Sequence, residues 1–202
     1  MIAVRRARQA DAAAIGAVHV AAWRSAYPGI LPNEFLSRLS VRRQAAQYDA
    51  AIRNGLGVHV ATASGQDVGP TGGPPRVVGF ATGGPARPPA AGLGQLPGGP
   101  ARPGLTGLGE GEIETLYVLD DWRERGLGRR LMRAAAAHLA ASGCRSAFVW
   151  VLRDNPSRWF YERLGGRAAA EATVRVAGIS LVQTAYVWPS IERLEQATSP
   201  AS

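Results

Sequence analysis

Residues 112–151 carry the pattern that most narrows the choice of fold. Glu112-Ile-Glu-Thr-Leu-Tyr-Val-Leu119 reads as a strand, residues 126–142 as an Ala-rich helix, and residues 146–151 as a continuous apolar run suited to a buried strand. Leu127, Leu131, Ala135 and Leu139 fall on one face of that helix. Two strands joined by a helical crossover lie side by side and parallel, with a right-handed connection. The chain is therefore read as α/β, with a mixed sheet and this unit at its centre.

The flanking segments extend the sheet. Residues 2–8 read as a first strand, and Asp11 is expected to cap a helix that stops at Tyr27-Pro28-Gly29. Short helices are expected over 33–39 and 42–53, the latter closed by Asn54-Gly55. Residues 58–61 and 77–81 read as a hairpin, and 168–176 and 179–188 as two strands around Ala177-Gly178. Asn155-Pro156 opens a helix that ends at Leu164-Gly165-Gly166.

With 202 residues, 46% hydrophobic and 19% charged, the chain suits one domain, expected over residues 1–190 with a frayed tail over 191–202. From 83 to 111, sixteen of twenty-nine residues are Gly or Pro, which predicts a mobile surface insertion. No stretch approaches the roughly 18 apolar residues of a membrane-spanning helix. Cys144 is the only cysteine, which excludes an intrachain disulfide and suits a reducing, cytoplasmic setting. Arg5-Arg6 precedes an Ala-rich stretch, but Asp11, His19 and Arg24 interrupt it, against an export signal.

The net charge of +8 comes from 23 arginines and no lysine. Residues 122–167 hold ten arginines against three acids, which localises the charge to one site. Interleaved aromatics, a basic tail and a reading helix are missing, so neither nucleic acid nor membrane is expected as a partner. His19, His59 and His138 show no ligand spacing, and no metal is expected.

Arg123-Glu124-Arg125-Gly126-Leu127-Gly128-Arg129 sits between a strand end and a helix start. Free backbone N–H groups and the helix dipole make an anion site there, and glycines at 126 and 128 let an anion approach the main chain. Arg123, Arg125 and Arg129 can add charge-assisted hydrogen bonds. A plain tight turn would show the same two glycines.

Strand, Arg-x-x-Gly-x-Gly, amphipathic helix, apolar strand and Asn155-Pro-Ser-Arg-Trp-Phe-Tyr-Glu-Arg-Leu-Gly165 together closely resemble the GCN5-related N-acetyltransferase (GNAT) superfamily. Trp23-Arg-Ser-Ala-Tyr-Pro-Gly-Ile-Leu-Pro32 resembles the first-helix segment of a common bacterial subgroup. The resemblance implies a sheet of about six to seven strands, helices on both faces, and a V-shaped opening between the two parallel strands. It implies acetyl-CoA as acyl donor, with its pyrophosphate on residues 123–129 and its pantetheine arm along Leu116, Tyr117, Val118 and Asn155. It also implies Tyr161 as the acid that protonates the departing thiolate. The Asn155-to-Tyr161 spacing is one residue shorter than the familiar family pattern, and Gly166 replaces a bulky residue.

Acetyl transfer to an amine requires an unprotonated amine, a polarised thioester carbonyl and a proton for the thiolate. Glu112 and Glu114 are the candidate bases. Glu112 falls where family members carry a catalytic glutamate and is favoured, with Glu114 assigned to the acceptor pocket. Trp23 and Tyr27, four apart on one helical face, either line that pocket or anchor the core. The expected activity is direct transfer to a primary amine of a small molecule or peptide, by a monomer or homodimer. A non-catalytic acyl-CoA sensor is the alternative.

Overall fold

The computed structural model describes residues 1–68, 73–86 and 108–199. In chain order it contains β1 (Ile2–Arg6), α1 (Ala12–Ala26), α2 (Asn33–Ser37), α3 (Val41–Arg53), β2 (Gly57–Ala63), β3 (Arg76–Pro85) and β4 (Gly111–Val118). There follow α4 (Leu127–Ala141), β5 (Ala147–Leu152), α5 (Arg158–Arg163), β6 (Arg167–Val176), β7 (Ile179–Trp188) and α6 (Ile191–Thr198). The seven strands form one sheet in the order β1-β2-β3-β4-β5-β7-β6. Only β4 and β5 are parallel; every other neighbouring pair is antiparallel.

Helices cover both faces, as a parallel pair requires. On one face α1 and α3 bury Ile15, Val18, Tyr48 and Ala51 against Val58, Val60 and Phe80. On the other, α4 and α6 bury Met132, Leu139, Ile191 and Leu194 against Ile113, Val149 and Trp188. Ends are set by local chemistry: Ser40 Oγ accepts from Arg43 N–H to open α3, and glycines with positive φ at 55 and 143 follow α3 and α4.

Three expectations are corrected. Asp11 stands at the N-cap position of α1 but its side chain makes no cap bond: it also closes a 3-10 turn, and its carboxylate accepts from Arg8 N–H at 2.7 Å and from both Arg5 terminal nitrogens at 2.8 and 2.9 Å. Both carboxylate oxygens are taken up by the bidentate Arg5 guanidinium and the Arg8 N–H, which turns the carboxylate away from the first-turn N–H groups of α1. The C-terminal tail is not frayed at its start, because residues 191–198 form α6, with Leu194 fully buried and Ser190 Oγ accepting from Arg193 N–H. The Gly/Pro-rich stretch is also not all insertion. Residues 83–85 continue β3 and Gly111 begins β4, where a Cβ at Gly83 would stand 3.0 Å from Glu112 O and one at Gly111 2.9 Å from Leu139. Composition there reflects close approach, of the neighbouring β4 backbone at Gly83 and of the Leu139 side chain at Gly111. The core of the expected insertion, residues 87–107, lies outside the described residues.

Candidate active site

β4 and β5 pair at only three positions, Gly111 with Ala147, Glu112 with Phe148, and Ile113 with Val149. Beyond these the strands part, and the gap leads into a cavity of about 670 Å³. The cavity crosses the sheet, so it has one half on the α4 and α5 side and one on the α1 side.

The α4 half is built for an anion. Gly126 adopts φ +73°, a left-handed conformation that L side chains resist, and it delivers the chain into α4. The N–H groups of the first turn have no acceptor within the helix and face the opening with the positive end of its dipole. Gly128 brings α5 close, since a Cβ there would stand 3.2 Å from the Phe160 ring. Arg123, Arg129 and Arg163 line this half. Arg123 also pairs with Asp120 at 2.7 Å, whereas Arg125 is turned away, its guanidinium 4.7 Å from the Trp122 ring centroid.

The α1 half is walled by Trp23, Tyr27, Glu114, Trp150, Val174 and Gln183. Trp23 and Tyr27 meet edge-on at 5.0 Å and also belong to the core, so both alternatives for them hold at once. Glu114 owes its place to a β-bulge: Thr82 faces Thr115 and Gly83 faces Ile113, which leaves Glu114 as the extra residue. The bulge is fixed by a 2.7 Å hydrogen bond between the Thr82 and Thr115 hydroxyls. Beneath it, Tyr48 OH bonds to His19 Nδ1 at 2.7 Å. Burial pulls the His19 pKa down to about 4, so the imidazole there is neutral.

Where the two halves meet stand three tyrosines. Asn155 Nδ2 donates to Tyr27 OH at 3.3 Å, while Asn155 Oδ1 accepts from Ser157 N–H at 2.9 Å. Tyr161 and Tyr117 are held above the ordinary phenol range, first by burial and then by the neighbouring Tyr27 hydroxyl. Each stays protonated through the physiological range, so its acid–base role there is that of a proton donor.

Comparison with known proteins agrees with this geometry. The family model described as FR47-like protein matches residues 104–176. The chain is 31% identical over 195 residues to the uncharacterized N-acetyltransferase YuaI of Bacillus subtilis (strain 168), covering 96% of this chain and 97% of that protein. The chain belongs to the GCN5-related N-acetyltransferase superfamily. Among solved structures of similar fold, an N-acetyltransferase from Staphylococcus aureus Mu50 aligns with a TM-score of 0.63 at 19% identity, over 95% of this chain and 99% of that one. The yncA protein of Salmonella typhimurium, solved with its cofactor acetyl-CoA, aligns with a TM-score of 0.61 at 20% identity, over 93% of each chain.

Within this GNAT fold the structure brings most of the sequence-selected residues together. Leu116, Tyr117, Val118, Arg123, Gly126, Leu127, Gly128, Arg129, Asn155, Tyr161, Trp23, Tyr27 and Glu114 all line the one cavity. Arg125 and Glu112 do not. Glu112 is 5% exposed and lies in the paired stretch, before the strands part. The arginine excess is also less local than its sequence position suggests: Arg130 donates to Ile2 O, Arg145 pairs with Glu110, and Arg158 stacks on Trp159. The space left by Gly166 is filled by Trp188, whose Nε1 donates to Leu164 O at 2.8 Å.

Sequence reasoning missed Trp150, Arg163 and Gln183. The one signal the sequence offers for Trp150 and Gln183 is a polar tip inside an otherwise apolar strand run, which by itself marks no site. Among the described residues no cluster of three or more His, Cys, Asp or Glu could hold a metal, and no helix is long and apolar enough to cross a membrane.

Proposed function

We propose that the protein is an acetyl-CoA-dependent N-acetyltransferase that moves the acetyl group directly to a primary amine of a small molecule or peptide. The observation that carries this reading is one cavity crossing the sheet, with an anion-binding half and a carboxylate-bearing half that meet at buried tyrosines. The donor set of the first half, helix N–H groups with Arg129 and Arg163, suits a pyrophosphate. Past Ile113 the β4 edge has no β5 partner, so the main chain of Leu116, Tyr117 and Val118 is open to an amide-bearing pantetheine arm. When bound, acetyl-CoA supplies an activated thioester carbonyl.

Glu114, on the cavity wall, takes the proton from the acceptor ammonium, directly or through water. The amine attacks the thioester carbon, the C–S bond breaks with Tyr161 handing its phenolic proton to the sulfur, and the extra N–H proton of the tetrahedral intermediate passes through water to restore the Tyr161 phenol. Glu112, favoured from the sequence, is placed less well for this role, because it lies away from the cavity wall. The lone buried thiol of Cys144 suits a reducing compartment, and a bacterial cytoplasm is the setting we infer.

The test is calorimetric titration with acetyl-CoA, followed by thiol release over an amine panel, for the parent protein and for Glu114→Gln and Glu112→Gln. We expect micromolar binding, release with at least one amine, and loss of the acidic limb of the kcat/KM profile in Glu114→Gln alone. Loss of that limb in Glu112→Gln alone restores Glu112 as base. Binding without release on any amine makes the protein a sensor.

A further inference from the structure

The polar groups on the α1 half of the cavity restrict what the acceptor can be. Among the described lining residues, the ionisable side chains other than tyrosine are Glu114, Arg123, Glu124, Arg129 and Arg163, and only Glu114 stands on the α1 side. One carboxylate there matches one ammonium. A second cation finds no further acid, and a free carboxylate finds no arginine.

The same wall holds three side-chain nitrogens with no hydrogen-bond partner among the described residues, Trp23 Nε1 over Tyr117 and, on the strands opposite, Trp150 Nε1 and Gln183 Nε2. Trp150 Nε1 and Gln183 Nε2 are buried and make no hydrogen bond among the described residues, and Gln183 is only 6% exposed. They face the same way: Trp150 pairs with Ala185 and Leu152 with Gln183 across β5 and β7, so Trp150 and Gln183 are diagonal neighbours on one sheet face. Unsatisfied buried donors are rare in folded proteins and call for an explanation. An indole N–H can only donate, so what satisfies it is a hydrogen-bond acceptor. Around them the walls are aromatic or apolar, from Trp23, Trp150 and Val174.

Resting on the acetyl-transfer reading above, we propose that the acceptor is a primary monoamine with an aromatic or bulky apolar body and a neutral hydrogen-bond-accepting group, such as a carboxamide, near the nitrogen. Glu114 takes the ammonium, the tryptophans enclose the body, and Trp150 with Gln183 holds the neutral acceptor group. Polyamines and free amino acids are disfavoured for want of a counter-charge.

The experiment compares four amines at saturating acetyl-CoA: phenylalaninamide, 2-phenylethylamine, phenylalanine and spermidine. Phenylalaninamide is expected to show the highest kcat/KM, at least about tenfold above 2-phenylethylamine, with the other two lower still. Gln183→Leu and, separately, Trp150→Phe are expected to erase most of the amide preference while leaving acetyl-CoA affinity unchanged, which also reports that each variant is folded. Preference for spermidine or phenylalanine overturns the proposal. So does an equal loss on phenylalaninamide and 2-phenylethylamine in both variants. If no amine releases thiol, acetyl transfer itself has failed, and the same amines are titrated into the CoA-loaded protein. Tightest binding of phenylalaninamide then upholds the acceptor class, and binding in any other order overturns it.

Discussion

The two halves of the cavity are built from different materials. The α4 half is made of backbone: a glycine with positive φ at 126, a close approach at Gly128, and N–H groups at a helix start, with arginines added at the rim. The α1 half is made of side chains from five separate elements, α1, β4, β5, β6 and β7. Backbone recognition constrains a short contiguous stretch of sequence, whereas a side-chain pocket tolerates substitution at each wall independently. The first half can therefore serve one ligand across many relatives while the second is free to vary.

The largest expected effect breaks the junction between the halves. Tyr161→Phe removes the proton donor but keeps the ring packed against Phe160 and Trp188, so kcat is expected to fall about a hundredfold to a thousandfold. Acetyl-CoA affinity by calorimetry should stay within about twofold. A parallel loss of affinity would make Tyr161 part of the binding wall.

Acid should act on the α1 half first. His19, beneath that half, and His59 have pKa values held near 4 by burial, against 6.5 for a free imidazole. Between these values the unfolded chain binds more protons, so stability is full above pH 6.5 and is lost as pH falls toward 4. We expect denaturant titration to show a loss of about 2 kcal/mol between pH 7 and pH 4.5 from His19, reduced markedly in His19→Gln. A His19→Gln variant with the same pH slope would assign the loss to other groups.

Smaller effects separate the arginines. Arg163→Ala is expected to weaken acetyl-CoA binding about fivefold, and Arg125→Ala, whose guanidinium rests on Trp122, less than twofold. Equal losses would return the whole Arg123-to-Arg129 stretch to the anion site.

The same contrast explains how much could be read from sequence. The α4 half was legible because glycine spacing and helix position lie within seven consecutive residues, 123–129. The strand and helix order was legible from periodicity, including the parallel pair. Glu114 was assigned to the acceptor pocket, but its separation from Glu112 was not legible, because a bulge shifts which side chains face the cavity and alternation cannot reveal it. Gln183 was hidden for a related reason: its importance depends on β7 lying beside β5, a pairing between segments about thirty residues apart. Gly83 and Gly111 misled because composition cannot tell a loop glycine from one that admits a close neighbour.

The three-position pairing of β4 with β5 has a mechanical side as well. It divides the sheet into two leaves, β1 to β4 and β5 to β7, with little backbone cohesion along their shared seam. α4 lies chiefly on the first leaf, where Leu127 and Leu131 share a core cluster with Ala61, Val78 and Ala81, and its link to the second leaf runs through α6, in a cluster that joins Met132, Ala135 and Leu139 to Ile191, Leu194, Val149 and Trp188. The two leaves are thus tied across the seam by the packing of α4 on α6, so the stretch of chain that begins at the anion site also takes part in holding the leaves together.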